Sequence, residues 1–496
     1  MRVLVSFELP ISARRILNTW MLVAPLALAP AVVLPGAARA GCSDTFQYYF
    51  EVKADPSKSP PIVGVPPTPL QHAVPLGVGS SLNALISTMN TVNTSFLSPS
   101  SAFVWARSDA APDQAGGGVW GRTIAGTADS TSKTTAKIDL AQTTIPVVFN
   151  GQIVPQNLNA SFIDPGLTRG TGVCEGKLHE DYLGYQFGFD LAKFNLGGDG
   201  ANFHIGLTAG YFNSKTKDTT AANQYTKPAG FFEFDPDVSV TINSPAGSFR
   251  AEGQVPFIGV YAALTKGNFF ADALVRQDFY LMTFNDPLNG LSKQAQNAFG
   301  LSAAANIGYK IQLPMNWFIE PSGGALWSRV NVDAINSPGG EFFSGLNAGA
   351  VKVDDIESIL GRATLRVGTT FTTSGLVWQP FVAGTLFHEF ADNATATSHA
   401  SNRVEVTTQC GAHPEITCKG PITSGPFAGI FDAGWDHLAV RDVSTSTSRI
   451  GTFAQYGVGT ALVFGSSGWL GYGRFDYRTG ENIEGYSVNA GLRYNW

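Results

Sequence analysis

From about residue 117 onward, apolar and polar residues alternate through much of the chain, and this period of two defines the elements that the sequence predicts. In one stretch Phe299, Leu301, Ala303, Ala305, Ile307, Tyr309 and Ile311 oppose Gly300, Ser302, Ala304, Asn306, Gly308 and Lys310. In another, Leu183, Tyr185, Phe187, Phe189 and Leu191 oppose Gly184, Gln186, Gly188 and Asp190. Tyr456, Val458, Thr460, Leu462 and Phe464 oppose Gln455, Gly457 and Gly459. The stretch 485–496 alternates to its last residue: Tyr486, Val488, Ala490, Leu492, Tyr494 and Trp496 face one way, and Ser487, Asn489, Gly491, Arg493 and Asn495 the other. One apolar face and one small, polar face suit a strand with lipid outside and water inside. Strands are predicted at 117–127, 181–194, 202–214, 252–266, 268–284, 297–312, 316–332, 356–373, 376–391, 448–465, 469–479 and 485–496. That makes twelve, and an even number lets an up-and-down antiparallel barrel close with no edge in lipid.

The connections alternate in length. Tight turns fall near Gly197-Gly198-Asp199, Thr265-Lys266-Gly267, Leu313-Pro314-Met315, Thr373-Ser374-Gly375 and Gly465-Ser466-Ser467-Gly468, and five long loops at about 128–180, 215–251, 285–296, 333–355 and 392–447. In outer-membrane barrels the short turns are periplasmic and the long loops external, which orients the chain with both barrel ends on the turn side.

The region before the barrel reads differently. Residues 1–40 carry Arg2, Arg14 and Arg15, the apolar run Trp20–Leu34, and Ala38-Arg39-Ala40, the order of a cleaved secretory signal, with a mature chain expected from Gly41. Residues 41–116 form a short N-terminal segment with a Pro-rich linker, Asp55–Val74. Within it Val78, Leu82, Leu85, Ile86, Met89, Val92 and Phe96 recur at helical spacing, predicting a helix at about 78–96 with Ser80 or Ser81 as N-cap. Its opposite face offers Ser, Thr and Asn and no charge, which suits either a lumenal helix or a surface or interface helix. The barrel is expected to occupy 117–496.

Composition adds constraints. The chain has 55 Gly and 34 Phe, with 14% charged residues and a net charge of −6. Removing the signal takes away four basic residues and one acidic (Glu8), leaving 28 basic against 37 acidic and a charge of −9. No basic stripe is present, so nucleic-acid binding has no electrostatic support. In an exported chain the four cysteines are disulfide candidates: Cys410 and Cys418 are close enough to close a small loop, which would leave Cys42 and Cys174 for each other, although four cysteines allow three connectivities.

Several motifs resemble the C-terminal translocator domain of type V autotransporters: Val119-Trp120-Gly121-Arg122, Gly184-Tyr185-Gln186-Phe187-Gly188-Phe189-Asp190, Gly206-Leu207-Thr208-Ala209-Gly210-Tyr211, Phe318-Ile319-Glu320-Pro321, Gln379-Pro380-Phe381-Val382 and Asn489-Ala490-Gly491-Leu492-Arg493-Tyr494-Asn495-Trp496. The resemblance spans roughly 80–496. It implies an all-β, twelve-stranded outer-membrane barrel with a helix threaded through the pore, translocating or displaying the segment before it. It also implies that the last strand, with Tyr486, Val488, Leu492, Tyr494 and Trp496, is the recognition signal for the outer-membrane insertion machinery. Typical members carry a long repetitive β-helical passenger; here only about 75 residues precede the barrel, without a solenoid repeat. A plugged porin-like pore and a surface adhesin acting through its loops are the alternatives, and no ligand of those loops can be read.

Candidate chemistry is sparse. Of seven histidines only His204 and His388 fall in predicted strands, and neither has a nucleophile or paired carboxylate beside it on its own face. Cys410, His413 and Cys418 cluster without a fourth soft ligand, so a disulfide is expected in place of a metal. No catalytic, cofactor or metal site is expected. Charges on the lipid face cost about 2–4 kcal/mol near the mid-membrane. Gln186, Asp190, Lys310, Arg474, Asp476, Arg478 and Arg493, with Asp272, Arg276 and Asp278, are therefore expected to face the lumen.

Overall fold

The computed structural model describes residues 49–53, 77–96, 110–140, 144–149, 152–157, 159–163, 171–220, 223–227, 240–244, 247–286, 291–338, 348–404, 431–432 and 438–496. Twelve long strands form its body: β1 (Gln114–Leu140), β2 (Thr171–Phe194), β3 (Ala201–Thr220), β4 (Gly247–Lys266), β5 (Phe269–Asp286), β6 (Leu291–Tyr309), β7 (Trp317–Val332), β8 (Ile356–Thr369), β9 (Leu376–Glu389), β10 (Thr452–Phe464), β11 (Trp469–Gly480) and β12 (Ile483–Asn495). Each pairs antiparallel with the next, and β12 closes on β1, from Gly118 opposite Asn495 to Ser130 opposite Ile483. Closure satisfies every strand edge, as a sheet in hydrocarbon requires.

The alternation sorts as its chemistry demands. On β2 Leu183, Tyr185, Phe187, Phe189 and Leu191 point outward, 40–62% exposed, while Gln186 and Asp190 are buried inside. Ile258, Val260, Ile307, Val382, Tyr456, Val458, Val488 and Leu492 extend this apolar band around the wall. A continuous exposed apolar belt of this size is stable only against lipid. No helix among the described residues is long and apolar enough to cross a membrane; the strands make the crossing.

The tight turns lie at one end. Gly197 and Gly198 (φ 58° and 80°) between β2 and β3, and Gly375 (φ 90°) between β8 and β9, occupy left-handed backbone that a side chain would strain. At the other end the strands run further than the hydrophobic pattern shows. β1 continues to Leu140 and β2 begins at Thr171, so much of the expected 128–180 loop is ladder. The expected long loop at 285–296 is a hairpin in which four residues separate β5 from β6. Hydrogen bonding sustains these extensions where outward residues are already polar, so amphipathicity gives no sign of them. The expected loops at 333–355 and 392–447 also carry strands: Ile335–Pro338 pairs with Ala348–Val353, which pairs with Ala394–Val404, then with Leu438–Thr447. Leu438–Thr447 joins Thr134–Leu140 of β1, so the wall passes above the short β11–β12 hairpin.

Some tightly packed wall positions require glycine. A Cβ at Gly188 would lie 2.2 Å from Trp120 Cε2, and one at Gly210 would lie 2.2 Å from Phe257 Cζ. Aromatic side chains occupy the space over these inward positions.

Helix α1 (Gly77–Phe96) lies inside the barrel. It starts at Gly77, so Ser80 and Ser81 sit within its first turns and are not its N-cap. Both its faces are buried: Leu82, Leu85, Ile86, Met89, Val92 and Phe96 on one, Ser80, Ser87, Thr88, Asn90 and Thr91 on the other. It packs along β1–β4 and against Leu438–Thr447.

Candidate functional site in the helix-filled lumen

The position of α1 along the barrel axis follows from its contacts with β2. A Cβ at Gly176 would lie 3.1 Å from Asn83 Nδ2, and one at Gly184 would lie 2.8 Å from Phe96 Cζ. From Asn83 to Phe96 a helix advances about 20 Å at about 1.5 Å per residue. From Gly176 to Gly184 a strand advances about 26 Å at about 3.3 Å per residue. The two lengths agree when β2 tilts by about 40°, as strands of such barrels do. The first turn of α1 lies at the loop end, where a Cβ at Gly79 would come 3.0 Å from Thr134, and its last turn lies deeper in the lumen.

Uncharged helix side chains meet charged wall residues. Glu180 accepts hydrogen bonds from Ser87 Oγ (2.7 Å), Thr91 Oγ1 (2.9 Å) and Thr88 Oγ1 (3.4 Å). Ser80 Oγ donates to Asp218 Oδ2 at 3.3 Å. Asn93 donates to Ser328 Oγ (3.1 Å) and accepts from Arg276 (2.9 Å), whose Nε lies 2.6 Å from Asp278 Oδ1. Phe96 is wedged between Phe212 and Phe257, ring centroids 6.3 and 5.0 Å away, with the Arg122 guanidinium over its face at 5.3 Å. A helix carrying its own charges would face like charges on this mixed wall. Hydroxyls and amides pair with either sign.

Toward the turn end, a buried network ties five strands together. Arg493 of β12 donates both guanidinium nitrogens to Asp190 of β2 at 2.7 and 2.8 Å. His204 Nδ1 of β3 lies 2.9 Å from Asp190 Oδ1, and Tyr261 of β4 donates to Oδ2 at 2.7 Å. Trp120 Nε1 of β1 donates to Tyr261 at 2.6 Å.

The other anticipated polar residues divide. Gln186 is buried and accepts from Arg122 Nε at 2.7 Å; Asp476 accepts from Arg474 Nε at 2.6 Å; Arg478 Nε donates to Gln455 at 2.9 Å. Lys310 lies off the ladder between β6 and a short strand at Ile311–Gln312, its Nζ 4.4 Å from the Phe318 ring centre. Asp272 accepts from Asn306 at 2.8 Å. On β12 Tyr486, Val488 and Leu492 point outward, as does Trp496 just after it; Tyr494 is half-buried against Trp469, with ring centroids 5.1 Å apart, and Trp496 stacks on Phe189. Cys42, Cys410 and Cys418 and the expected signal and linker lie outside the described residues. Cys174 is opposite Thr134 in the β1–β2 ladder. His388 faces outward beside Thr452, and His179, expected in a loop, sits in β2 with Nδ1 2.6 Å from Asp129.

The sequence reading missed Glu180 and Asp218, the main anchors of α1, because both lay in presumed loops. Strand parity was the available signal. Glu180 continues the inward positions Tyr182 and Gly184, and Asp218 continues Phe212 and Ser214.

A closed twelve-stranded barrel with an apolar belt and a helix along its lumen defines an outer-membrane translocator. The barrel is of the bacterial outer-membrane type, and the family model "Autotransporter beta-domain" matches its residues 175–415. Among solved structures, the chain is similar to the β domain of the Bordetella autotransporter BrkA: 16% identity, 76% of this chain and 98% of that one covered, TM-score 0.41. For the transport unit of AIDA-I from Escherichia coli the figures are 14%, 83%, 97% and 0.46. For the translocator domain of NalP from Neisseria meningitidis they are 10%, 84%, 97% and 0.38. No curated protein matches the chain.

Proposed function

We propose that the barrel carries the polypeptide preceding α1 to the cell surface and holds it there, with the extended loop end outside and the tight turns in the periplasm. The direction of α1 carries this reading. Its first turn lies at the loop end beside Thr134 and Asp218, whereas β1 starts at the turn end, where Asn195 bonds Ala110 and Asp113. A chain threaded this way enters α1 from the loop end. Consistent with this, Tyr49–Lys53 pairs with Asn159–Ile163 from the β1–β2 connection. A pore plugged from the periplasm would run its helix the opposite way.

In this reading the protein works by transport and display and makes no covalent change in a substrate. Asp190, the carboxylate beside His204, is already engaged by Arg493 and Tyr261. The outward face of β12, with Tyr486, Val488 and Leu492 and with Trp496 just after it, offers the surface by which the insertion machinery would recognise the barrel. The test is an epitope tag near Pro60, probed with antibody on intact and permeabilised cells, with a tag in 405–430 as the external control. Labelling of both on intact cells is expected. Labelling of the control alone would place the N-terminal segment in the periplasm and overturn the reading.

A further inference from the structure

At the inner end of α1 the lumen holds a basic cavity. It measures about 130 Å³ and opens between the end of α1, at Thr94 and Ser95, and the wall formed by β7–β12. Five arginines line it, Arg122, Arg362, Arg366, Arg474 and Arg478, against two acids, Glu320 and Asp476; the lining residues carry a formal +3. Two of the arginines have those acids as partners: Arg366 reaches Glu320 at 2.5 Å, and Arg474 reaches Asp476 at 2.6 Å. Arg122 and Arg478 donate to the neutral Gln186 and Gln455.

Arg362 is distinct. Its Nε, like that of Arg366, is enclosed with no hydrogen-bond partner, but no acid bonds its guanidinium as Glu320 bonds Arg366; Arg474 repels it, and Asp272 attracts it from three strands along the same wall, in the row Asp272, Asn306, Gly324, Arg362. An enclosed donor on a cation, inside a wall surrounded by hydrocarbon, is costly unless something accepts from it. The cavity holds several waters or one oxyanion. A guanidinium fork matches the paired oxygens of an oxyanion, and a dianion would offset most of the local excess charge.

We infer that this cavity binds a small soluble oxyanion of the phosphate or sulfate class, with Arg362 as its principal ligand and Arg474 and Arg478 around it. The strands separate the site from lipid, so a headgroup phosphate cannot enter; the ligand comes from the aqueous phase. Bound there, the anion fixes the arginine wall opposite α1 and sets the field that a segment passing through the lumen experiences.

Equilibrium dialysis of radiolabelled inorganic phosphate tests this, using the full chain folded in detergent micelles at constant ionic strength. Saturable binding of one phosphate per chain is expected. Arg362→Gln should weaken it at least tenfold, Arg362→Lys less, and Lys133→Gln on the outer wall not at all. Heat-modifiable electrophoretic mobility verifies that each variant is folded. If Arg362→Gln does not fold, Arg474→Gln takes its place with the same expected loss. Binding that does not saturate, or that persists unchanged in a folded Arg362 or Arg474 variant, would overturn the inference.

Discussion

Asp190 shows how one residue can hold the closing seam of the barrel. Its carboxylate takes the Arg493 fork across β1 and bonds with His204 and Tyr261, all fully buried. Removing one partner of such a pair leaves a buried charge, at a cost of about 3–5 kcal/mol. Asp190→Ala is expected to lower the temperature at which the folded electrophoretic band disappears, and Asp190→Asn, which keeps an acceptor, to lower it less. Gly188 is constrained by space. A Cβ there would lie 2.2 Å from Trp120, and moving that indole breaks its bond to Tyr261. Gly188→Val should destabilise by about 1–3 kcal/mol through overpacking. Adding Trp120→Ala should restore part of the folded band; no rescue would mean that Gly188 is needed for another reason. The sequence showed that Asp190 and Arg493 face inward, because parity assigns a face. It could not show that they meet, because pairing across β1 depends on the closing register between β12 and β1.

At the scale of elements, the twelve strands were legible wherever lipid enforces alternation. Leu183 to Leu191 must be apolar outward and small or polar inward, and that stretch appears in full in the pattern. Above the apolar belt both faces meet water. There, residues such as Lys177, His179 and Asp181 point outward and the period of two loses its contrast, although the ladder continues. The same loss hid Glu180 and Asp218. The helix was legible from its spacing, but its burial was not, because a face of Ser, Thr and Asn suits both solvent and a charged lumen. Glu180 therefore provides the test for this element. It gathers three helix hydroxyls, and bonds to a charged group contribute about 1.5–3 kcal/mol each where no water replaces them. Glu180→Ala is expected to leave the barrel folded while loosening α1, seen as more frequent current openings in planar bilayers and faster hydrogen exchange in residues 80–92. Unchanged exchange would mean that Phe96 and the apolar face hold the helix without Glu180.

Across the whole molecule, the lumen charges separate by side. Glu180, Asp190, Asp218, Asp272, Asp278 and Asp286 on β2, β3 and β5 outnumber Arg276 there, whereas Arg362, Arg366, Arg474, Arg478 and Arg493 on β8, β11 and β12 outnumber Glu320, Glu389 and Asp476 on β7, β9 and β11, so the two sides differ in net charge. The barrel thus carries a transverse field, acidic on one wall and basic on the other, and its low-dielectric strands concentrate that field in the water between them. Helix α1 lies along β1–β4 and covers much of the acidic wall. While it is in place, the open water of the lumen touches mainly arginines, so residual current should be carried by anions. Deleting residues 77–96 uncovers Glu180 and Asp218 and leaves the twelve-strand ladder closed, because no strand takes its hydrogen-bond partner from the helix. The deletion variant is expected to fold, to conduct through larger steps, and to lose anion preference. Its reversal potential in a KCl gradient should move from the chloride side toward zero or beyond. A reversal potential that stays on the chloride side after deletion would mean that the acidic wall never faces the conducting water, and that α1 fills the lumen without shaping its field.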